Sequence, residues 1–307
     1  MIFNKKIIFV VILLILRFSA LSQPFVDIVN LRYSRFPQTD FKDYSNYHSS
    51  TNQYTAELFA PIQLKSKDVI LVGASYDYLN FYLHEDSSNL KINSDNLCQF
   101  SLQLGMIKKL GKESKWSTTL LAIPKISECN DNMAFDKECF QMGGAVLFVY
   151  KKKNSLKYKF GLFYNREFFG NYFMPLAGID WKISSRMYLF GVLPGAMNFE
   201  YKICDKFYTG LGYKSNTASY RLYENHYIRE GDKFWGHNML RNFYQYYITK
   251  QIMLYGEIGY TGFRIFEEYN DENKIDNTRF VFQKTKDHFY FDAGIAFRLR
   301  LDKDYED

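Results

Sequence analysis

From His288 to Leu301 the chain alternates with a period of two. Phe289, Phe291, Ala293, Ile295, Phe297 and Leu299 fall on one side, and His288, Tyr290, Asp292, Gly294, Ala296 and Arg298 on the other. Strand side chains point alternately to opposite faces, so this stretch predicts a strand with one greasy and one wet face. Phe289 to Leu299 is about eleven residues, the length a tilted strand needs to cross a bilayer. The same parity recurs along the chain. Tyr54, Ala56, Leu58, Ala60 and Ile62 oppose Thr55, Glu57 and Gln63; Ile70, Val72, Ala74, Tyr76 and Tyr78 oppose Leu71, Gly73, Ser75 and Asp77; Cys98, Phe100, Leu102, Leu104 and Met106 oppose Gln99, Ser101, Gln103 and Gly105. Farther on, Leu156, Tyr158, Phe160 and Leu162 face away from Lys157 and Lys159, Met197, Phe199, Tyr201 and Ile203 from Glu200 and Lys202, and Ile252, Leu254, Ile258 and Tyr260 from Glu257. Two segments fit less well: Met142 to Tyr150 is apolar on both faces, which suggests something packed inside, and Trp116 to Pro124 is ambiguous.

The connections add a second signal. With a periplasmic N-terminus, the outer loops fall at 37–53, 84–96, 126–138, 165–171, Pro194-Gly195, 215–236 and 266–286, separated by short turns at LKSKD, LGKES, KKKNS, KISS, CDK and ITKQ. Long loops on one side and short turns on the other are the rhythm of outer-membrane barrels. The expected fold is all-β, an antiparallel transmembrane β-barrel of 12–14 strands; the lower count arises because 165–171 and Pro194-Gly195 are short for outer loops. Tyr76, Tyr78, Trp116, Trp181, Tyr213 and Tyr260 sit near strand ends, where amphipathic rings suit the lipid–water interface. A secreted β-sandwich would also alternate and is the competing fold.

The N-terminus changes the picture of compartment. Lys5 and Lys6 precede an apolar run from Ile7 to Leu16, then Arg17 and FSALSQ. That is the layout of a signal peptide over residues 1–22, cut after Ser22, and its apolar run is too short to span a bilayer as a helix. Residues 23–307 then form one barrel domain in the bacterial outer membrane. Loss of Lys5, Lys6 and Arg17 takes the formal charge from +6 to +3, a balance that argues against a nucleic-acid partner. An aromatic content of 19% suits a wall in which apolar and polar positions interleave.

Chemistry is sparse. Cys129 and Cys139 flank NDNMAFDKE and are placed to staple that loop, whereas Cys98 and Cys204 have no evident mates; no zinc spacing is present, and no metal or cofactor is expected. His48, His84, His226 and His237 fall in outer loops. His237 near Ser215 or Asp232 is the least unsuitable catalytic combination, but no nucleophile–base–orienter set is spelled out, so an enzyme is not expected. Glu267, Glu268, Asp271, Glu272 and Asp276 in EEYNDENKID offer hard oxygen ligands without a calcium-loop spacing, and a soluble loop is favoured. GLGYKS lacks a phosphate loop's glycine spacing; Gly210 and Gly212 read more simply as close wall contacts.

The inward faces hold the better candidates. Glu57, Asp77, Asp180, Glu200, Glu257 and Asp292 mix there with Lys157, Lys159, Lys202, Lys214, Arg241 and Arg298, and these line the expected lumen. Mixed signs oppose a strongly ion-selective pore and suit a narrow channel or a salt-bridged filling. The final strand resembles the C-terminal signal read by the barrel-insertion machinery, with Asp292, Gly294, Phe297 and Leu299 in its places, followed by the hydrophilic tail DKDYED. Residues 23–307, through GGAVLFVYKKKNSLKYKFGLFYNREFFGNYFMPLAGIDWKISSRMYLFGVLPGAMNFEYKICDKFYTGLGYK, resemble an uncharacterised Bacteroidetes-type family of outer-membrane barrels. That resemblance implies a fold and a compartment and supplies no catalytic residues. The expected partners are outer-membrane lipid, lipopolysaccharide and the insertion machinery. Two functions are expected to compete: a narrow conduit for small or hydrophobic solutes, and a plugged structural or surface-interaction barrel acting through extracellular loops such as YENHYIREGDKFWGH.

Overall fold

A computed structural model describes residues 24–42, 46–66, 68–85, 91–111, 115–129, 137–223, 226–231, 236–270, 272 and 284–301. Residues 1–22, and with them the expected leader, lie outside the described residues. Among the described residues the strands are β1 (Phe25–Asp40), β2 (Tyr47–Gln63), β3 (Val69–Glu85), β4 (Lys91–Lys109), β5 (Trp116–Cys129), β6 (Phe140–Lys153), β7 (Leu156–Glu167), β8 (Gly170–Lys182) and β9 (Met187–Leu193). They continue with β10 (Ala196–Cys204), β11 (Phe207–Asn216), β12 (Ala218–Tyr223), β13 (His226–Glu230), β14 (His237–Tyr247), β15 (Ile252–Gly262), β16 (Phe266–Asn270) and β17 (Phe289–Arg300).

Fourteen of these close an antiparallel wall. Strands β1 to β11 pair in sequence, β11 pairs β14, β14 pairs β15, β15 pairs β17, and β17 returns to β1. The seam is long, with Leu31 opposite Ile295 and Tyr33 opposite Ala293. Closure leaves no edge along that seam and replaces the sandwich reading by a barrel. The register keeps one parity throughout: Leu31, Leu58, Val72, Leu104, Leu120, Val146, Phe160, Leu211, Leu240, Ile258 and Ile295 all stand exposed on the outside. A band of that extent matches the lipid face of a transmembrane barrel, since water tolerates only small apolar patches.

β1 begins and β17 ends at one end of the barrel, here called proximal. Towards the distal end, β1 to β4 run well past the apolar belt and shorten the expected loops at 37–53 and 84–96. There the strands stay paired although neither face needs to be apolar, so the periodicity that marks a lipid-crossing strand fades. The segments 215–236 and 266–286, also expected as loops, contain strands. β12 and β13 form a hairpin, and β13 pairs β16, with Arg229 opposite Glu267 and Ile228 opposite Glu268.

This three-stranded unit lies against the inward faces of the distal wall. Ala218, Tyr220, Leu222, Ile228 and Phe266 bury against Leu79, Phe81 and Leu83 of β3, Leu97 of β4 and Cys129 of β5. The hydrophobic effect holds it there, because short apolar runs that would otherwise be wetted find inward apolar partners. The barrel therefore has a plug at its distal mouth. Tyr227, Ile228, Arg229 and Glu230 are buried in it, which corrects the expectation that YENHYIREGDKFWGH is displayed as an outer loop; residues 224–225 and 232–235 of that stretch lie outside the described residues.

Candidate functional site

The lumen is organised in tiers. At the proximal end Arg298 forks onto Asp27 across the β17–β1 seam, Nε to Oδ1 at 2.5 Å and Nη2 to Oδ2 at 2.8 Å, and donates Nη1 to Gln245 Oε1 at 2.9 Å. Arg300 Nη2 meets Glu200 Oε1 at 2.6 Å, and Phe25 lies 3.4 Å beneath the Arg298 guanidinium. In the middle tier Arg241 binds Glu257 and also donates to Asn198 Oδ1 at 2.7 Å. Lys214 Nζ sits 2.9 Å from Asp292 and 3.8 Å from Glu257. Asn30 donates to Glu57 at 2.6 Å, and Asp77 accepts from Thr55 at 2.7 Å and from Gln53 at 3.1 Å. Lys159 pairs with Asp180 at 2.7 Å, with Lys157 buried nearby on the same inner face, and Lys202 pairs with Asp205 at 2.7 Å by the proximal turn. Charges taken out of water must be paired to be tolerated. Opposite signs meet that requirement here, on neighbouring strands for Arg298–Asp27, Arg241–Glu257 and Lys159–Asp180, and across the lumen for Lys214–Asp292 and Arg300–Glu200.

A third tier fastens the plug. Glu167, the last residue of β7, accepts from Lys125 Nζ, from Gln141 Nε2 at 2.9 Å, from Asn165 Nδ2 at 2.6 Å, and from the hydroxyl and backbone N–H of Ser219 at 2.5 and 3.1 Å. Ser219 Oγ in turn accepts the Phe168 N–H at 3.1 Å. A carboxylate surrounded by five donors is a strong, directional joint between wall and hairpin. The sequence pattern did not mark Lys125 and Glu167, because Lys125 falls between the ambiguous segment Trp116 to Pro124 and the expected loop at 126–138, and Glu167 falls in the expected loop at 165–171.

A second fastening lies across the mouth. The Arg264 guanidinium stacks 3.8 Å over Phe36 and 4.8 Å over Phe266, with Glu230 3.6 Å away. Burial lowers Arg264 to about 10, opposed by the Glu230 carboxylate. Burial alone would raise Glu230, but the facing His237 imidazole and the Arg264 charge hold it below the usual glutamate range.

Between the middle tier and the plug is a cavity of about 250 Å³. Ile123, Phe163, Met174 and Leu176 give it apolar walls, Gln99, Ser101, Lys125, Asn165 and Tyr172 add polar groups, and Ser215 to Thr217, the segment leading into the plug, lines its distal side. Pro194 and Gly195 also line it, and they mark a step in the wall. β9 stops at Leu193 opposite Ala177, so residues 170–176 of β8 pair only with β7. Pro175 lies in that stretch, where a missing N–H is tolerated because one side of the strand makes no ladder.

The remaining sequence-chosen residues fall as follows. Asp292 and Gly294 face inward on β17, Phe297 is exposed to the outside, and Leu299 is half-buried. Cys129 and Cys139 are not joined: both are buried thiols, and the Cys139 Sγ is turned to Glu128 Oε2 at 3.7 Å. The expected staple is therefore replaced by a polar contact of the turn that opens β6. His237 is buried at the head of β14, with Nδ1 3.7 Å from Glu230; Asp232 lies outside the described residues. Glu267 pairs with Arg229 at 2.7 Å, and Glu268 is buried within the plug, while Asp271 and Asp276 lie outside the described residues.

Closed wall, lipid-facing belt and polar lumen define a transmembrane β-barrel of the outer-membrane type, fitted with a plug. The chain belongs to the family described as Domain of unknown function (DUF6268), whose model matches residues 18–299. No curated protein matches it. Among solved structures it is similar to an outer-membrane channel from Pseudomonas putida F1, at 9% identity and a TM-score of 0.48, over 90% of this chain and 95% of that one. It is similar also to a FadL homologue from Pseudomonas aeruginosa, at 8% identity and a TM-score of 0.48, over 89% of each chain. The translocator domain of the autotransporter NalP from Neisseria meningitidis is similar at 9% identity and a TM-score of 0.37, over 88% of each.

Proposed function

We propose that this chain resides in the bacterial outer membrane, distal end outward, and conducts small, mainly apolar solutes along a path that leaves the lumen sideways. The reading rests on one coincidence: the lumenal cavity lies against the step where β9 and β10 stop short. The axial route is poorly suited to such solutes, because the plug occupies the distal mouth and paired charges fill the tiers below. An apolar solute crossing a row of hydrated or paired ions gains nothing, whereas Ile123, Phe163, Met174 and Leu176 offer it a dry surface beside the step. In this reading lipid and lipopolysaccharide meet the outer belt, and the insertion machinery meets β17.

Uptake tests the proposal. Cells making the wild-type protein should take up a small uncharged aromatic faster than cells making Met174→Trp, which fills the cavity, and the purified barrel should pass little ionic current in planar bilayers. A large ohmic conductance, or equal uptake by the two cell lines, would overturn it. A second reading, a plugged structural barrel, is favoured by the same buried hairpin and differs in giving no protein-dependent uptake at all.

A further inference from the structure

We infer that the cavity beside the step is a binding site selective for small uncharged molecules that carry one hydrogen-bond acceptor, such as a ketone on an aromatic ring. This deepens the conduit reading and rests on it for the site's purpose, although binding itself can be tested alone. Three observations carry it. First, the cavity holds about 250 Å³ and its walls are chiefly apolar, so a compact apolar body is the part it accommodates best. Second, Lys125 is the one cation among the described residues lining the cavity, and its ammonium is already engaged by the buried Glu167. An anionic ligand would have to break a buried ion pair to gain that charge, and a cationic one would find no carboxylate on the lining.

The third observation concerns Tyr172. Its hydroxyl accepts from Asn165 Nδ2 at 3.3 Å, which leaves the phenolic proton to be donated into the cavity that the side chain lines. The ring is held by stacking on Phe169, centroids 5.9 Å apart and planes 17° from parallel, so the donor is pre-aimed. Asn165 is itself tied to Glu167 at 2.6 Å. A donor fixed beside the apolar wall of Ile123, Phe163, Met174 and Leu176 favours a ligand with an acceptor over an isostere that lacks it, because the donor is otherwise left unpaired away from water.

The test uses three probes of matched size: acetophenone, α-methylstyrene and benzoate. Equilibrium binding to the full-length barrel in nanodiscs is measured against empty nanodiscs to remove partition into lipid. The wild type should bind acetophenone more tightly than α-methylstyrene and benzoate most weakly. Tyr172→Phe should reduce the ketone-to-hydrocarbon preference roughly fivefold, the size of one net hydrogen bond, with folding checked by the heat-dependent gel shift of the closed barrel. Met174→Trp should abolish binding of all three. Equal wild-type affinities for the ketone and the hydrocarbon, an unchanged preference in Tyr172→Phe, tight benzoate binding, or no binding of any probe would each overturn the inference. Selective binding without protein-dependent uptake would sink the conduit reading alone, and uptake without selectivity would sink only this one.

Discussion

Glu167 is the place where a single atom change should be felt by the plug. In Glu167→Gln the shape survives and the one remaining oxygen can still accept from Ser219 and Gln141, but the buried Lys125 ammonium loses its counter-charge and, with Asn165, faces an amide NH2 in place of an acceptor. Removing one member of a buried ion pair costs about 3–5 kcal/mol. Against this stand Leu222, Ile228 and Phe266, seated in the distal apolar cluster at about 1.5–3 kcal/mol each, or roughly 4.5–9 kcal/mol together. The seat therefore outweighs the joint, and the hairpin should stay in the mouth while its anchored end loosens. Amide hydrogen exchange reads this locally. The N–H groups of Ser219 and Phe168, which sit in the joint, should lose protection by roughly a hundredfold to a few thousandfold, whereas amides of β3 at Leu79 and Phe81 should hold theirs. Adding Lys125→Met, which removes the stranded charge, should restore most of the protection. If exchange at Ser219 is the same in wild type and Glu167→Gln, or if the double variant is no better than the single, the joint is not what fastens the plug.

Other outcomes follow from other contacts. Arg298→Ala leaves Asp27 facing the lumen without its fork across the closing seam, and the heat-dependent gel shift should occur at a lower temperature, consistent with a loss of about 3–5 kcal/mol. Leu240→Arg on the lipid face should cost about 2–4 kcal/mol if that position lies near the bilayer midplane, and reduce assembly, while Gln245→Arg, five residues on and so of opposite parity, sets a second cation against Arg298 in the lumen instead. Because Glu230 titrates below its usual range in the folded plug, its stabilising contribution is present above about pH 4.3, the ordinary glutamate value, and is lost as pH falls through the lower folded value. Exchange protection in β13 should therefore drop on strong acidification, and Glu230→Gln should flatten that dependence.

What the sequence made legible was the part of the molecule that lipid constrains. Wherever a strand crosses the belt, one face must be apolar, and Leu102 to Met106 or Phe289 to Phe297 show it without help from context. Above the belt that constraint lapses, so the distal ends of β1 to β4 looked like loops. The plug was hidden for a related reason. Tyr220, Leu222, Ile228 and Phe266 are scattered among polar residues in runs of five or six, too short to display a period, and their partners lie far away in sequence on β3 and β4. The charged inward positions follow from parity, but not which of them pair: Asp27 precedes a bulge in β1 that shifts its parity against the rest of the strand, whereas Arg32 alternates plainly with Leu31 and Tyr33. The step between β8 and β9 is foreshadowed by the tight Pro194-Gly195 turn, whose brevity reflects a low wall and not a missing pair of strands.

That step also serves as a depth gauge. Hydrocarbon cannot satisfy the backbone groups of an unpaired strand edge, so the acyl region must end at or below the level of Leu193 on that side. The seven residues of β9, at about 3.3 Å rise and a tilt near 40°, reach only roughly 18 Å, against about 25 Å for the usual apolar band. Either the barrel leans toward this flank or the leaflet thins beside it, and both would draw the lipid headgroups down to the threshold of the cavity.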